Sequence, residues 1–165
     1  MATNPDERFS RFDDEVRSGK HLWTTLGYRR LGWGEGTTSI AWDATEEYGF
    51  PTAGGPVIQG GLVTALLDAA MGGACWTVLD QDQAFLTADL RVEFLRSTRP
   101  GTVRATGTVV RRTRRVVFCE AQLFDADDQL LAASRCTQVV LPATGKAGRY
   151  DAPAADGSPP DDARG

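Results

Sequence analysis

QGGLVTALLDAAMGGACWTVLD, residues 59–80, is the stretch on which the fold turns. It is almost wholly apolar, rich in alanine and leucine, and free of proline. That composition predicts one helix of about 18–20 residues, buried around most of its circumference. The run is interrupted by glycines and falls short of the roughly 20 continuous apolar residues of a membrane span. It is therefore read as the central helix of a domain, with small residues that let a sheet wrap closely around it.

The flanks supply the sheet. FLTADLRVEFLR (85–96) alternates, with Leu86, Ala88, Leu90, Val92 and Phe94 on one face and Thr87, Asp89, Arg91 and Glu93 on the other. The turn RPG (99–101) leads to TVRATGTVVRR (102–112), and a basic turn at Thr113 leads to VVFCEAQLFD (116–125). The turn DADDQ (125–129) leads to LLAASRCTQVVL (130–141). Three consecutive tight connections predict an antiparallel meander. Upstream, GYRRLGWGEGTTSIAWDAT (27–45) predicts a strand from Gly36 to Ala44, its other glycines marking turns or bulges. EEYGFPTAGGPVI (46–58) carries two prolines and three glycines and is read as loop. Phe9, Phe12 and Val16, spaced by three and four, predict a short amphipathic helix within 1–23. The expected organisation is this N-terminal helical extension, one domain over 24–141, and a disordered Pro/Ala/Gly/Asp tail over 142–165. The fold class is α+β, one antiparallel sheet packed on one long helix.

The whole chain has 165 residues, 41% hydrophobic and 24% charged, which fits one globular domain. A net charge of −4 gives no sign of nucleic-acid binding. The polar, acidic N-terminus is not a secretory signal, and three scattered cysteines make no disulfide framework; a reducing cytoplasm and no membrane association are expected. His21 is the single histidine, so multi-histidine metal sites are excluded and no metal is expected. A hydroxyl or thiol nucleophile relying on imidazole would have to use His21 itself. Chemistry should fall to carboxylates, amides and hydroxyls.

Gln59-Gly60-Gly61 opens the long helix, where unpaired N–H groups and the positive end of the helix dipole can hold a developing oxyanion. Gly60, Thr64, Asp68 and Gly72 recur every four residues and share a face. Asp68 is the only ionisable side chain from Gln59 to Ala74, and a carboxylate inside an apolar helix is costly unless partnered or used. The plain alternative puts Asp68 at the helix's wet edge and makes Gly60-Gly61 a simple tight turn.

VIQGGLVTALLDAAMGGA, followed by LTADLRVEFLR, PGTVRATGTVVRRTRR and LLAASRCTQVVL, resembles the hotdog-fold acyl-CoA thioesterases. Within them it is most similar to the phenylacetyl-CoA (PaaI-type) and 4-hydroxybenzoyl-CoA thioesterase branch, over residues 24–141. The resemblance implies a hotdog fold, a long helix wrapped by a curved antiparallel sheet, assembled as a homodimer or homotetramer. It implies that the Gly60 amide polarises the thioester carbonyl. Asp68, eight positions on, would be the nucleophile or the base for a water. Thr87, in Thr87-Ala88-Asp89-Leu90, would help to place that water. Two departures stand out. The family histidine before the glycines is Gln59, which cannot act as a base but can still donate from its amide. The amide that the family often carries in the preceding loop falls by spacing at Ala53, beside Thr52.

The remaining expectations concern binding. Gly61, Thr64, Tyr48 and Phe50 are candidates for lining the acyl site. Arg112, Arg114 and Arg115, in the densest basic run, are candidates for clamping coenzyme A phosphates, as are Arg96 and Arg99 more weakly. Coenzyme A enters as part of the substrate and no separate cofactor is expected; an acyl-carrier-protein thioester is the other substrate form. Two other readings are a non-catalytic acyl-CoA-binding or regulatory protein, which the loss of histidine favours, and a hydratase or dehydratase, which needs a His–Asp pair.

Overall fold

The computed structural model describes residue 19 and residues 21–142. The expected helix around Phe9, Phe12 and Val16 and the tail from residue 143 lie outside the described residues. A short helix α1 (Leu22–Leu26) follows His21, whose backbone N–H donates to the Thr24 hydroxyl at 3.1 Å. Strands β1 (Arg29–Gly34) and β2 (Thr37–Ala44) then form a hairpin. The sequence marks only the second, because β1 is an edge strand whose glycines and bulge at Arg30/Gly32 erase the alternation. Its two-residue turn, Glu35-Gly36, takes a left-handed glycine with φ 73°.

Residues 46–58 are more ordered than a loop. A 3-10 turn (Glu46–Tyr48) leads into a ribbon of β3 (Gly49–Phe50) and β4 (Val57–Ile58), paired antiparallel. Pro51 and Pro56 flank the tip outside the paired residues, so no ladder N–H is lost. The ribbon delivers the chain to the long helix α2 (Gly60–Val78), with Gln59 N–H bonded to Tyr48 O at 2.9 Å. By length and a mean hydropathy of 1.4, α2 could cross a membrane, which the sequence reading had set aside. Its surroundings make it a core helix: Val63, Leu66, Leu67, Ala70, Met71, Ala74 and Cys75 are buried against the sheet. Each large apolar side chain so buried stabilises the fold by about 1.5–3 kcal/mol.

β5 (Gln83–Phe94), β6 (Gly101–Arg112), β7 (Val116–Phe124) and β8 (Leu130–Pro142) complete one six-stranded antiparallel sheet in the order β1-β2-β6-β7-β8-β5. The expected four-strand meander is corrected here. β6, β7 and β8 are sequential neighbours, but β5 pairs with β8 at the far edge and β6 pairs with β2. The link through Arg99-Pro100-Gly101 is therefore a crossover spanning three strand spacings, about 14 Å, although its Pro-Gly signal reads like a hairpin. Arg96 ties it to Leu130 O at 2.7 Å, and Ile58 N–H bonds Thr98 O at 2.8 Å.

The expected faces of β5 also need correction. A bulge between Thr87 and Asp89 leaves Ala88 as an extra residue, so the alternation changes phase. Phe85 and Thr87 face α2 before it, Leu90, Val92 and Phe94 after it, and Leu86 is turned outward, 49% exposed. The helix sits on β6 at Gly107, where a Cβ would lie 2.2 Å from Ala70 O. The Thr38 hydroxyl donates to that same carbonyl at 2.7 Å.

Candidate active site

Asp68 lies midway along α2, partly buried, with its carboxylate against β5. Thr87 Oγ1 is 3.0 Å from Asp68 Oδ1 and 3.0 Å from Gln138 Oε1. The bulge at Ala88 is what lets Thr87 point at the helix while Leu90, three residues on, also packs inward. Burial pushes the Asp68 carboxyl above its ordinary range, and a hydrogen bond from Thr87 opposes that push without cancelling it. Among the described residues, no group of three or more His, Cys, Asp or Glu side chains could hold a metal ion.

Asp68 and Thr87 form one wall of a largely apolar cavity of about 320 Å³. Trp23 of α1, Arg30 of β1, Trp76 of α2 and Phe85 of β5 form much of the rest. Gly72, one turn past Asp68, admits the Phe85 ring: a Cβ there would come within 3.1 Å of it. Trp76 and Phe85 meet edge to face at 6.2 Å between centroids.

The other expected site residues divide. Gln59 is the N-cap of α2, and its Oε1 accepts from Leu62 N–H at 3.0 Å. The side chain folds over Gly61, where a Cβ would lie 2.7 Å from Gln59 Oε1, so glycine at 61 is what makes this cap possible. The cap uses the amide oxygen and leaves the NH₂ as donor. Gly60 is the first helical residue, and no preceding helical carbonyl can reach its N–H. Thr64 donates to Gly60 O at 2.9 Å, a bond within the helix.

Tyr48 and Phe50 are not among the residues of the Asp68 cavity. Tyr48 packs on Trp42 at 5.5 Å between centroids, and Phe50 borders a separate hollow with Thr52 and Pro51. Arg112 donates to Val78 O, to Asp80 at 2.8 Å and to Gln83 at 3.0 Å, fastening the C-terminal end of α2. Arg99 is committed to carbonyls of the β3–β4 tip, Gly54 O at 2.7 Å and Gly55 O at 2.9 Å. Arg114 and Arg115 stand exposed at the β6–β7 turn. His21 is exposed and outside the cavity. The reading of the sequence did not single out Gln138; the available signal was an amide on the inward face of an alternating strand.

A family model described as the thioesterase superfamily matches residues 55–132. A Bacillus subtilis (strain 168) protein, ComA2, which carries an esterase name, is 27% identical over 85 residues, 51% of this chain and 68% of that protein. Among solved structures, a Haemophilus influenzae thioesterase is 20% identical, covering 77% of this chain and 87% of that one with a TM-score of 0.70. The E. coli PaaI protein from the phenylacetic acid degradation operon is 19% identical, covering 80% and 92%, with a TM-score of 0.70. The two structures carry the likeness of fold, and the family model falls on α2 and the strands after it. Residues 55–132 match the thioesterase superfamily model, and the chain is folded as a PaaI-like hotdog.

Proposed function

We propose that this protein hydrolyses an acyl thioester of coenzyme A, or of a carrier protein, with Asp68 at the reacting centre. The observation that carries this reading is a desolvated carboxyl in the wall of an apolar cavity, beside a hydroxyl. As a base, ionised Asp68 takes a proton from a water while that water's oxygen bonds to the thioester carbonyl carbon. The carbonyl electrons move to oxygen, and the Gly60 N–H stabilises that oxyanion. On collapse the C–S bond breaks, and the thiolate leaves with its electron pair and receives the proton from Asp68. As a nucleophile, the Asp68 carboxylate would instead bond to the carbonyl carbon and expel the thiolate with the C–S electron pair, leaving an anhydride that water then cleaves to the free acid and Asp68.

One chain does not complete this site. Gly60 and Asp68 are eight residues apart on one helix, about 12 Å at the α-helical rise, too far to touch one carbonyl. A second copy related by a two-fold axis would bring its Gly60 to this Asp68. β5, at the open edge of the sheet, is a strand free to pair with that copy. The cavity's aromatic walls favour a compact aromatic or medium-chain acyl group. Of the candidate arginines, Arg112, Arg99 and Arg96 are engaged internally, which leaves Arg114 and Arg115 to meet coenzyme A phosphates. Replacing both should raise KM with little change in kcat; an unchanged KM sinks that role.

The test is free thiol release from a panel of acyl-CoA esters by wild type and Asp68→Asn. Release that vanishes in Asp68→Asn supports hydrolysis. Tight binding without release would make this a binding protein, and full release by Asp68→Asn would remove Asp68 from the chemistry. A hydratase reading is disfavoured by His21 lying outside the cavity.

A further inference from the structure

Gln138 is fully buried, 0% exposed, on the inward face of β8 directly opposite Thr87 of β5. A buried primary amide in an apolar core is retained only if its hydrogen-bonding groups are used. Its Nε2 donates to Cys136 Sγ at 3.2 Å, two residues earlier on the same strand, which turns Oε1 towards Thr87. Cys136 pairs across the ladder with Cys119, and Cys75 completes a cluster of three buried free thiols. Cys136 is pushed well above the usual thiol range by the Cys119 contact and by burial, so it stays protonated and offers Gln138 a neutral partner.

The Thr87 hydroxyl has one hydrogen and two oxygen acceptors, Asp68 Oδ1 and Gln138 Oε1, each at 3.0 Å. It cannot donate to both. When its hydrogen goes to Gln138, Asp68 loses the hydrogen bond that would stabilise its ionised form. The Thr87 oxygen then presents a lone pair that welcomes a proton on Asp68. The contacts then run in one direction, Asp68 O–H to Thr87, Thr87 O–H to Gln138, Gln138 N–H to Cys136.

We propose that Gln138 is a positioning residue that acts on Asp68 through Thr87: its carbonyl competes for the Thr87 hydrogen and so keeps Asp68 a strong proton acceptor. The role rests on the reading of Asp68 as the base of thioester hydrolysis. Few other groups that titrate or carry charge face Asp68. Arg30 of β1 shares its cavity and Cys136 of β8 lies behind Gln138, while Trp23 of α1 and Phe85 of β5 are uncharged. Arg30 is present in every variant compared, so its charge cancels in the comparison.

The experiment follows the Asp68 carboxyl directly by ¹³C NMR titration of the labelled whole protein, with Asp68→Asn assigning the signal. In Gln138→Met the midpoint should move to lower pH, and the acid limb of kcat/KM should move with it while KM stays nearly constant. In a Thr87→Val background, adding Gln138→Met should produce no further shift. Cys136→Ala, which frees the amide to turn its NH₂ towards Thr87, should also lower the midpoint, and it serves if Gln138→Met fails to fold. An unmoved midpoint in these variants, or a shift that persists without Thr87, overturns the proposal. The titration needs no substrate. A midpoint that moves in a protein with no hydrolase activity would sink the enzymatic reading alone, and hydrolysis with an unmoved midpoint would sink only the role of Gln138.

Discussion

Asp68 is held where its charge is unwelcome, and this sets both its chemistry and its cost. Burial raises its carboxyl in the folded chain above the unfolded value of about 3.9. The folded state therefore binds that proton more tightly. The resulting stabilisation is complete below the unfolded value and is lost as pH rises through the folded one, so at neutral pH Asp68 is a net cost. Asp68→Asn should cut kcat by about 10²–10⁴. It should also stabilise the protein by about 1 kcal/mol, or about 3 °C in Tm. Initial rates and a thermal melt check the pair, and a variant that is both inactive and less stable would contradict it. The pH profile should show a single acid limb, lying above the ordinary carboxylate range, and then a plateau. Glutamine 59 does not titrate and His21 lies outside the cavity, so a second limb near neutrality would show that some other group takes part. At this scale the sequence marked Asp68, because a lone carboxylate in an apolar helix is visible as a violation of pattern, and Gly60 by its place at the helix start, while Thr87 came only from the family resemblance. It could not mark Gln138, whose meaning comes from a partner 51 residues away.

Among the elements, α2 was the most legible. Its composition allows little else, and the structure spans Gly60–Val78. The β5–β6 crossover was hidden because Arg99-Pro100-Gly101 specifies a change of direction but not how far the chain travels before pairing. The bulge in β5 was hidden because a single alternating pattern, Leu86 to Phe94, fits the letters well; only the competing demand of Phe85 and Thr87 to meet α2 shows that the phase must change. Gly107 was unremarkable in the sequence and is decisive in the packing. Gly107→Ala would drive a Cβ to 2.2 Å from the Ala70 carbonyl, where the contact is backbone and cannot swing aside. Urea unfolding should report a loss of about 3 kcal/mol or more; a change under about 1 kcal/mol would mean that α2 slides freely over β6.

On the scale of the whole molecule, the proposal that the site needs a second copy can be tested by mixing two inactive chains. Gly60→Pro removes the amide hydrogen at the first helical position, where proline is well accepted, and should lower kcat by about 10²–10³, with the exposed Phe94 ring, 3.2 Å from where the new Cβ would sit, turning aside. Co-expressed with Asp68→Asn, it should regain about a quarter of wild-type activity. Half of a random population would be mixed dimers, each with one intact site of two. Parent dimers combined without exchange should stay inactive. No regain in verified mixed dimers would place both groups in one chain.

The three cysteines, buried as free thiols, bear on how such measurements are read. A hydrogen bond from Cys136 pulls Cys119 down, but Cys75 and burial push it up to about 12, and all three sulfurs are buried away from a disulfide reagent. The folded protein is thus silent in the colour reaction that counts released coenzyme A. A slow rise approaching three equivalents per chain, with no substrate added, would be the molecule timing its own opening.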